Sequence, residues 1–282
     1  MFCAVDGVEI YYETRGEGSP VLTIHGFGID HHVMAGCMEP VFAGRPGWKR
    51  IYFDLPGMGR TRGTGDVRDS DGMLAVVARF AEKVVPDGRF LVAGESYGGY
   101  LARGLVYRMP ERLDGVLLIC PVVVPDKGER TLPPRAVFAR DEAVLAGIEP
   151  ETRQFFERML VLQDRRRWER FQQDILPGTR SKNVAFLQQL YRTGYAFSFD
   201  ADRPGRPFER PALLLAGRQD ATVGWKDMLK IADNYQRGTL AVLDRAGHGL
   251  EVEQQTAFEC LVREWLDRVE ESRDQKDAVP GR

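Results

Sequence analysis

No run of apolar residues in this sequence is long enough to span a bilayer, and the N-terminus, Met1-Phe2-Cys3-Ala4-Val5-Asp6-Gly7, lacks both the basic start and the apolar stretch of a secretory signal. A cytoplasmic location with no membrane partner is therefore expected. Charge of one sign is not in excess either, since 39 basic against 41 acidic residues leave a formal net charge of -2. That balance gives no basic footprint of a nucleic-acid binder, which leaves a small molecule as the expected partner. Cysteine is scarce: Cys3, Cys37, Cys120 and Cys260 are scattered and form no C-x-x-C pair. Neither a zinc site nor a disulfide framework follows, and reduced, mostly buried thiols are expected. There is no internal repeat and no low-complexity tract, and nothing calls for a metal or a cofactor.

What is present suits a globular protein. The 282 residues are 43% hydrophobic and 28% charged, enough for one sizeable core with an insertion. Short runs rich in Val, Ile, Leu and Phe alternate with segments of helical length, a rhythm that predicts an α/β fold on a largely parallel sheet. Glu9 to Thr14 alternate as an early antiparallel strand does. Val21 to Ile24, Arg50 to Phe53, Phe90 to Ala93, Val116 to Ile119, Ala212 to Leu215 and Thr239 to Leu243 read as later strands, the earlier four of them buried on both faces. Asp71 to Val85, Tyr97 to Met109 and Phe258 to Val269 have helical spacing, and Pro86-Asp87-Gly88 stops the first of these.

The rhythm breaks between Pro125 and Pro207, where helical segments rich in Arg, Glu and Gln replace buried strands. The expected organisation is a core of residues 1–124 and 208–270 and an inserted helical cap of 125–207. Prolines 121, 125, 133 and 134 mark the entrance of the cap and Asp202-Arg203-Pro204-Gly205-Arg206-Pro207 its exit. The charged tail, 271–282, has little to bury and is expected to be disordered.

Gly94-Glu95-Ser96-Tyr97-Gly98 follows a strand and opens a helix, the setting in which G-x-S-x-G marks a nucleophilic serine at a sharp turn. Serine needs a base to take its proton. Of the four histidines, His248 in Ala246-Gly247-His248-Gly249 lies just past the last strand and is the candidate. His25 is expected to be structural within its loop, and His31 and His32, at the start of a helix, to lie at the surface or to line the pocket. The imidazole needs a carboxylate to fix its tautomer. Asp220, in the loop after Leu213-Leu214-Leu215, is preferred, with Asp126 as the alternative. An oxyanion requires backbone donors, and the amides of Phe27, in His25-Gly26-Phe27-Gly28, and of Tyr97 are the expected pair. Asp54-Leu55-Pro56-Gly57-Met58-Gly59-Arg60-Thr61 lacks the ending of a phosphate loop and reads as a structural turn. Arg165-Arg166-Arg167, flanked by Asp164 and Glu169, reads as a solvated helix face, and Trp225 as a specificity residue.

With HGFG, DLPGMGRT, GESYGG, GRQD and AGHG in this order, the chain resembles the α/β-hydrolase family, in particular its capped bacterial serine hydrolases. The resemblance implies eight strands, mostly parallel, with a cap over Ser96. It implies hydrolysis of a small or medium carboxylic ester or lactone through an acyl-serine intermediate, with carbon-carbon bond hydrolysis and peptidase action as alternatives on the same residues. A small-molecule receptor that keeps the same residues without turnover, or an acyltransferase, is a further reading. A dehalogenase or epoxide hydrolase is set aside, because the family places an aspartate where this chain has Ser96.

Overall fold

A computed structural model describes residues 1–203 and 205–277, and in it every run read as a strand joins one sheet. The strands in chain order are β1 (Phe2–Val5), β2 (Val8–Arg15), β3 (Ser19–Ile24), β4 (Trp48–Phe53), β5 (Phe90–Glu95), β6 (Leu113–Ile119), β7 (Ala139–Arg140), β8 (Leu162–Gln163), β9 (Phe208–Gly217) and β10 (Tyr235–Leu243). The main sheet has eight strands in the order β1-β2-β4-β3-β5-β6-β9-β10. Its β1/β2 and β2/β4 pairs are antiparallel and all the rest parallel. This is the eight-stranded, mostly parallel α/β sheet that the resemblance implies.

Among the described residues, six helices outside 125–207 flank this sheet or its loops: α1 (His32–Phe42), α2 (Ser70–Val84), α3 (Tyr97–Arg108) and, far along the chain, α9 (Lys226–Leu229), the short α10 (Leu250–Glu253) and α11 (Gln255–Asp277). Helix α2 starts where the Asp69 carboxylate accepts from the Gly72 amide at 2.8 Å, and buries Met73, Leu74, Val77 and Phe80 at helical spacing. It packs beside α3, and α1 packs beside α11. The central strands between these pairs have no polar face: Val21, Leu22, Leu91, Val92, Leu117, Leu118, Leu213 and Leu215 are all fully buried.

Residues 125–207 carry α4 (Glu142–Ala146), α5 (Pro150–Met159), α6 (Arg165–Asp174), α7 (Leu176–Arg180) and α8 (Val184–Thr193). The segment is not purely helical, because β7 and β8 pair in parallel and bury Leu162 and Gln163. It is tied to the core along its length. The Asn183 amide donates to the Gly57 carbonyl, the Ser70 amide to that of Gly194, and Arg170 to that of Gly36.

Helix α11 continues through Asp277, so the 271–282 tail expected to be disordered is helical as far as that residue. The gain is visible in its contacts: Glu270 accepts from Arg45 and Trp48, and Arg273 donates to Asp114, anchoring the polar end to the sheet. Residues 278–282, and Pro204 in the exit of the inserted segment, lie outside the described residues. No helix among those described is long and apolar enough to cross a membrane.

Candidate active site

Strand β5 ends at Glu95 and α3 begins at Tyr97, so Ser96 has to reverse the chain by itself. It does so at φ 53° and ψ -113°, a conformation that L-residues rarely adopt. Only glycine fits on either side. A Cβ on Gly94 would come within 2.2 Å of the Gly98 carbonyl, and one on Gly98 within 2.1 Å of that of Ile24. The turn is held by the Ser96 amide, which donates to Ile119 at 2.9 Å, and by the Ser96 carbonyl, which accepts from Val122 at 3.0 Å.

Beyond the carboxyl ends of β9 and β10, on the same edge of the sheet, stand the two partners. His248 Nε2 lies 2.9 Å from Ser96 Oγ, and His248 Nδ1 lies 2.8 Å from Asp220 Oδ2. Asp220 is fully buried, and its other oxygen accepts from the amides of Thr222 and Val223 at 2.8 and 3.1 Å. Burial pushes the Asp220 carboxyl up, but the His248 charge and these hydrogen bonds outweigh it and hold the group below its ordinary value. Ionised Asp220 therefore selects the tautomer with the proton on Nδ1, leaving Nε2 to face the serine. The alternative acid, Asp126, is exposed and accepts from the Gly128 amide, away from His248.

More carboxylates crowd this histidine than its sequence position suggests. Glu95 Oε1 is 3.5 Å from Nε2, and its other oxygen is buried with no hydrogen-bond partner. Burial favours the neutral ring, but Asp220, Glu95 and Glu251 together push the imidazole up to about 9. Burial in turn pushes Glu95 up to about 8, with the His248 charge opposing it.

The loop carrying His248 is stitched to the inserted segment. The amides of His248 and Gly249 donate to the Met159 carbonyl at 2.9 and 3.3 Å. Buried Glu253 joins the same two elements with one carboxylate, accepting from Gly247 on one side and from Val161 and Leu162, at 2.6 and 2.9 Å, on the other. Sequence reasoning passed over Glu253 and Glu95. The first had no motif, and the second occupied the variable position of one.

Opposite the serine, His25 is buried and its Nε2 accepts from the Leu55 amide at 3.0 Å, so Nδ1 carries the proton and donates to the Gly26 carbonyl at 2.8 Å. Burial pushes this ring down, which keeps it neutral. It is a structural tie between two loops, as expected. The amides of Phe27 and Tyr97 have no acceptor within the described residues. The DLPGMGRT segment is a turn built on buried Asp54, which accepts from the amides of His31 and Arg60 and from His31 Nδ1.

That bond corrects the surface or pocket-lining placement of His31: the ring is buried against Asp54, and only His32 is largely exposed. Trp225 stacks under Arg218 and does not line the Ser96 cavity. Arg165 and Arg166 are exposed on α6, as a solvated face requires, but Arg167 is half-buried and donates to Asp164 and to the Glu253 carbonyl. Cys37 and Cys120 are buried, Cys3 partly so, and Cys260 is exposed. Two groups bring three potential metal donors within 4.8 Å of one another, Asp30/His31/His32 and Cys120/Asp220/His248. Their imidazole nitrogens already face carboxylates, and burial pushes the Cys120 thiol far above its ordinary range.

Residues 21–259 match the family described as the alpha/beta hydrolase family. The chain is 25% identical over 265 residues to a pimeloyl-[acyl-carrier protein] methyl ester esterase of Pectobacterium carotovorum, covering 88% of this chain and 95% of that one. It is likewise 25% identical over 267 residues to a 2-hydroxy-6-oxo-2,4-heptadienoate hydrolase of Pseudomonas putida, covering 92% and 93%. An alpha/beta superfamily hydrolase from Oenococcus oeni PSU-1 superposes with a TM-score of 0.84 at 28% identity over 93% of this chain and 96% of the other. The sheet order, the strained serine turn and a family match over most of the chain agree: this protein belongs to the alpha/beta hydrolase family.

Proposed function

We propose that the protein is a serine hydrolase acting on small or medium carboxylic esters or lactones, with Ser96 as nucleophile, His248 as base and Asp220 as the orienting acid. The observation that carries this reading is the chain of two contacts, 2.9 Å from Ser96 Oγ to His248 Nε2 and 2.8 Å from His248 Nδ1 to Asp220. In the proposed reaction His248 Nε2 takes the serine proton as Oγ attacks the acyl carbon. Asp220 stabilises the imidazolium that results. The unengaged amides of Phe27 and Tyr97 hold the oxyanion, a contribution of typically a few kcal/mol to the barrier. His248 then protonates the departing alcohol, leaving acyl-Ser96, and a water deprotonated by the same nitrogen releases the acid.

The cavity over Ser96 has a volume of about 290 Å³ and takes its walls both from strand-end loops and from residues 125–207, which we propose act as its cap. Phe27, Ile29, Val122, Phe155, Met159 and Val223 supply an apolar surface for the acyl or alcohol part. An esterase and a carbon-carbon bond hydrolase of similar length are both relatives, so cleavage of a carbon-carbon bond next to a carbonyl is the second reading. A fluorophosphonate should label Ser96 alone, and the protein should release p-nitrophenol from short acyl esters while Ser96→Ala does not. Labelling at another residue, or equal turnover by the variant, would refute the assignment.

A further inference from the structure

We infer that the Ser96 cavity contains a subsite for an anion, so that the preferred substrate is an ester carrying a free carboxylate away from the bond that is cleaved. The inference builds on the hydrolase reading for the bond and on the placement of cations for the charge. Three basic side chains line this one cavity, Lys127, Arg130 and Arg158. Among the described residues none of the three meets a carboxylate.

Arg130 is the most telling. It is half-buried, and three main-chain carbonyls hold its guanidinium: Val124 at 2.8 Å from Nε, Thr222 at 2.9 Å from Nη1 and Pro125 at 3.2 Å from Nη2. Arg50, Arg103 and Arg170, also enclosed, each meet an acid, whereas Arg112, like Arg130, is held by main-chain carbonyls but lies outside this cavity. Carbonyls orient the Arg130 fork but leave its charge uncompensated, and one N–H remains on each terminal nitrogen. The Tyr195 hydroxyl lies beside them, held protonated by burial and so able to donate as well. Arg158 is spread over the Phe155 ring at 5.2 Å, with its head at the rim, and Lys127 is exposed there. Among the described residues, the only acid lining the cavity is Glu95, which faces His248.

A chain of net charge -2 has thus gathered three uncompensated cations where its nucleophile opens to solvent. Such a cavity concentrates anions and disfavours cationic substrates. The planar fork of Arg130 matches a carboxylate, and the apolar residues around it match the methylene chain that would join this carboxylate to the ester.

Two matched esters test this: mono-p-nitrophenyl glutarate and the neutral p-nitrophenyl valerate, which have the same chain length. The charged ester should have a kcat/KM about tenfold higher, the size expected of one partly desolvated charge contact. The ratio should shrink at about 0.5 M NaCl, where the screening length is roughly 4 Å. Because Arg130 also clamps two loops, the double variant Lys127→Gln/Arg158→Gln is the primary probe, and it should lower the ratio at least about threefold. Glutarate should bind the Ser96→Ala protein by calorimetry, more weakly when the double substitution is added. A ratio at or below unity, or one the double variant does not change, overturns the subsite. Failure of both esters together with glutarate binding would remove the hydrolase reading and keep the subsite. Turnover of the valerate without glutarate binding would do the reverse.

Discussion

The strand-end loops and the inserted segment 125–207 meet at the same cavity but contribute in different currencies. From the strand ends come side chains: Ser96 and Asp220 after the buried β5 and β9, and His248 after the half-exposed edge strand β10. From the inserted segment come cavity walls such as Phe155 and Met159, cations, and main-chain atoms, with the Met159 carbonyl receiving two amides of the His248 loop and Glu253 bonding across the junction. The lesson is that backbone strain places the nucleophile at the sheet, while His248 also depends on bonds to the segment that covers the sheet. The cover over it only has to be held at the right distance, which any carbonyl can help to do.

If that division is right, changes at the strand ends should be far costlier than changes at the junction. Ser96→Ala should lower kcat by about 10⁴ to 10⁶ while leaving the melting temperature nearly unchanged. Loss of activity accompanied by loss of the folded baseline in circular dichroism would mean that the serine supports the turn instead. Next in size, Asp220→Asn should reduce kcat about 10⁴-fold by presenting the wrong tautomer, whereas Asp126→Asn at an exposed turn should be within about twofold of wild type. Steady-state rates for the two asparagine variants side by side decide between them.

At the junction, Glu253→Gln is the sharpest probe. A glutamine replaces one accepting oxygen by an NH₂, so at least one of the three amides loses its acceptor, a cost of roughly 1–3 kcal/mol for a buried donor. We expect kcat down about tenfold and a lower melting temperature; an unchanged kcat with a lowered melting point would mean that the junction stabilises the fold without setting the position of His248.

The smallest effect is a shift in pH dependence. His248 must be neutral to act as base, so kcat/KM should rise with pH through the imidazole ionisation. The neighbouring acids hold it above the value of 6 to 7 expected for an ordinary site histidine, toward 9. Glu95→Gln removes one carboxylate that favours the imidazolium, so the rise should move to lower pH. Profiles between about pH 5 and 10 for both proteins measure this, and coincident inflections would show that Glu95 does not act on His248.

The fold class and the residues that meet at Ser96 were readable in large part because strands and turns follow local rules. A strand buried on both faces must be apolar throughout, and a serine in a one-residue reversal must have glycines around it. His31 was misplaced because its helix-start position says nothing of Asp54, which arrives from a turn 23 residues later. Residues 271–277 were misjudged for a similar reason, Ser272 and Arg273 being bonded by Arg237 and Asp114 from distant parts of the chain. Trp225 drew attention by residue type alone, and packing turned it away from the cavity.

By itself, then, the sequence determined the α/β alternation, the strained serine turn and the order of Ser96, Asp220 and His248, because neighbouring residues suffice to specify strands, turns and helix starts. Only the tertiary structure decided that Asp220, not Asp126, meets His248, that Glu95 and Glu253 flank it, and that Lys127, Arg130 and Arg158 share its cavity. Those are encounters between segments far apart in the chain. Their electrostatics follow from burial and distance, which have no local signature in a sequence.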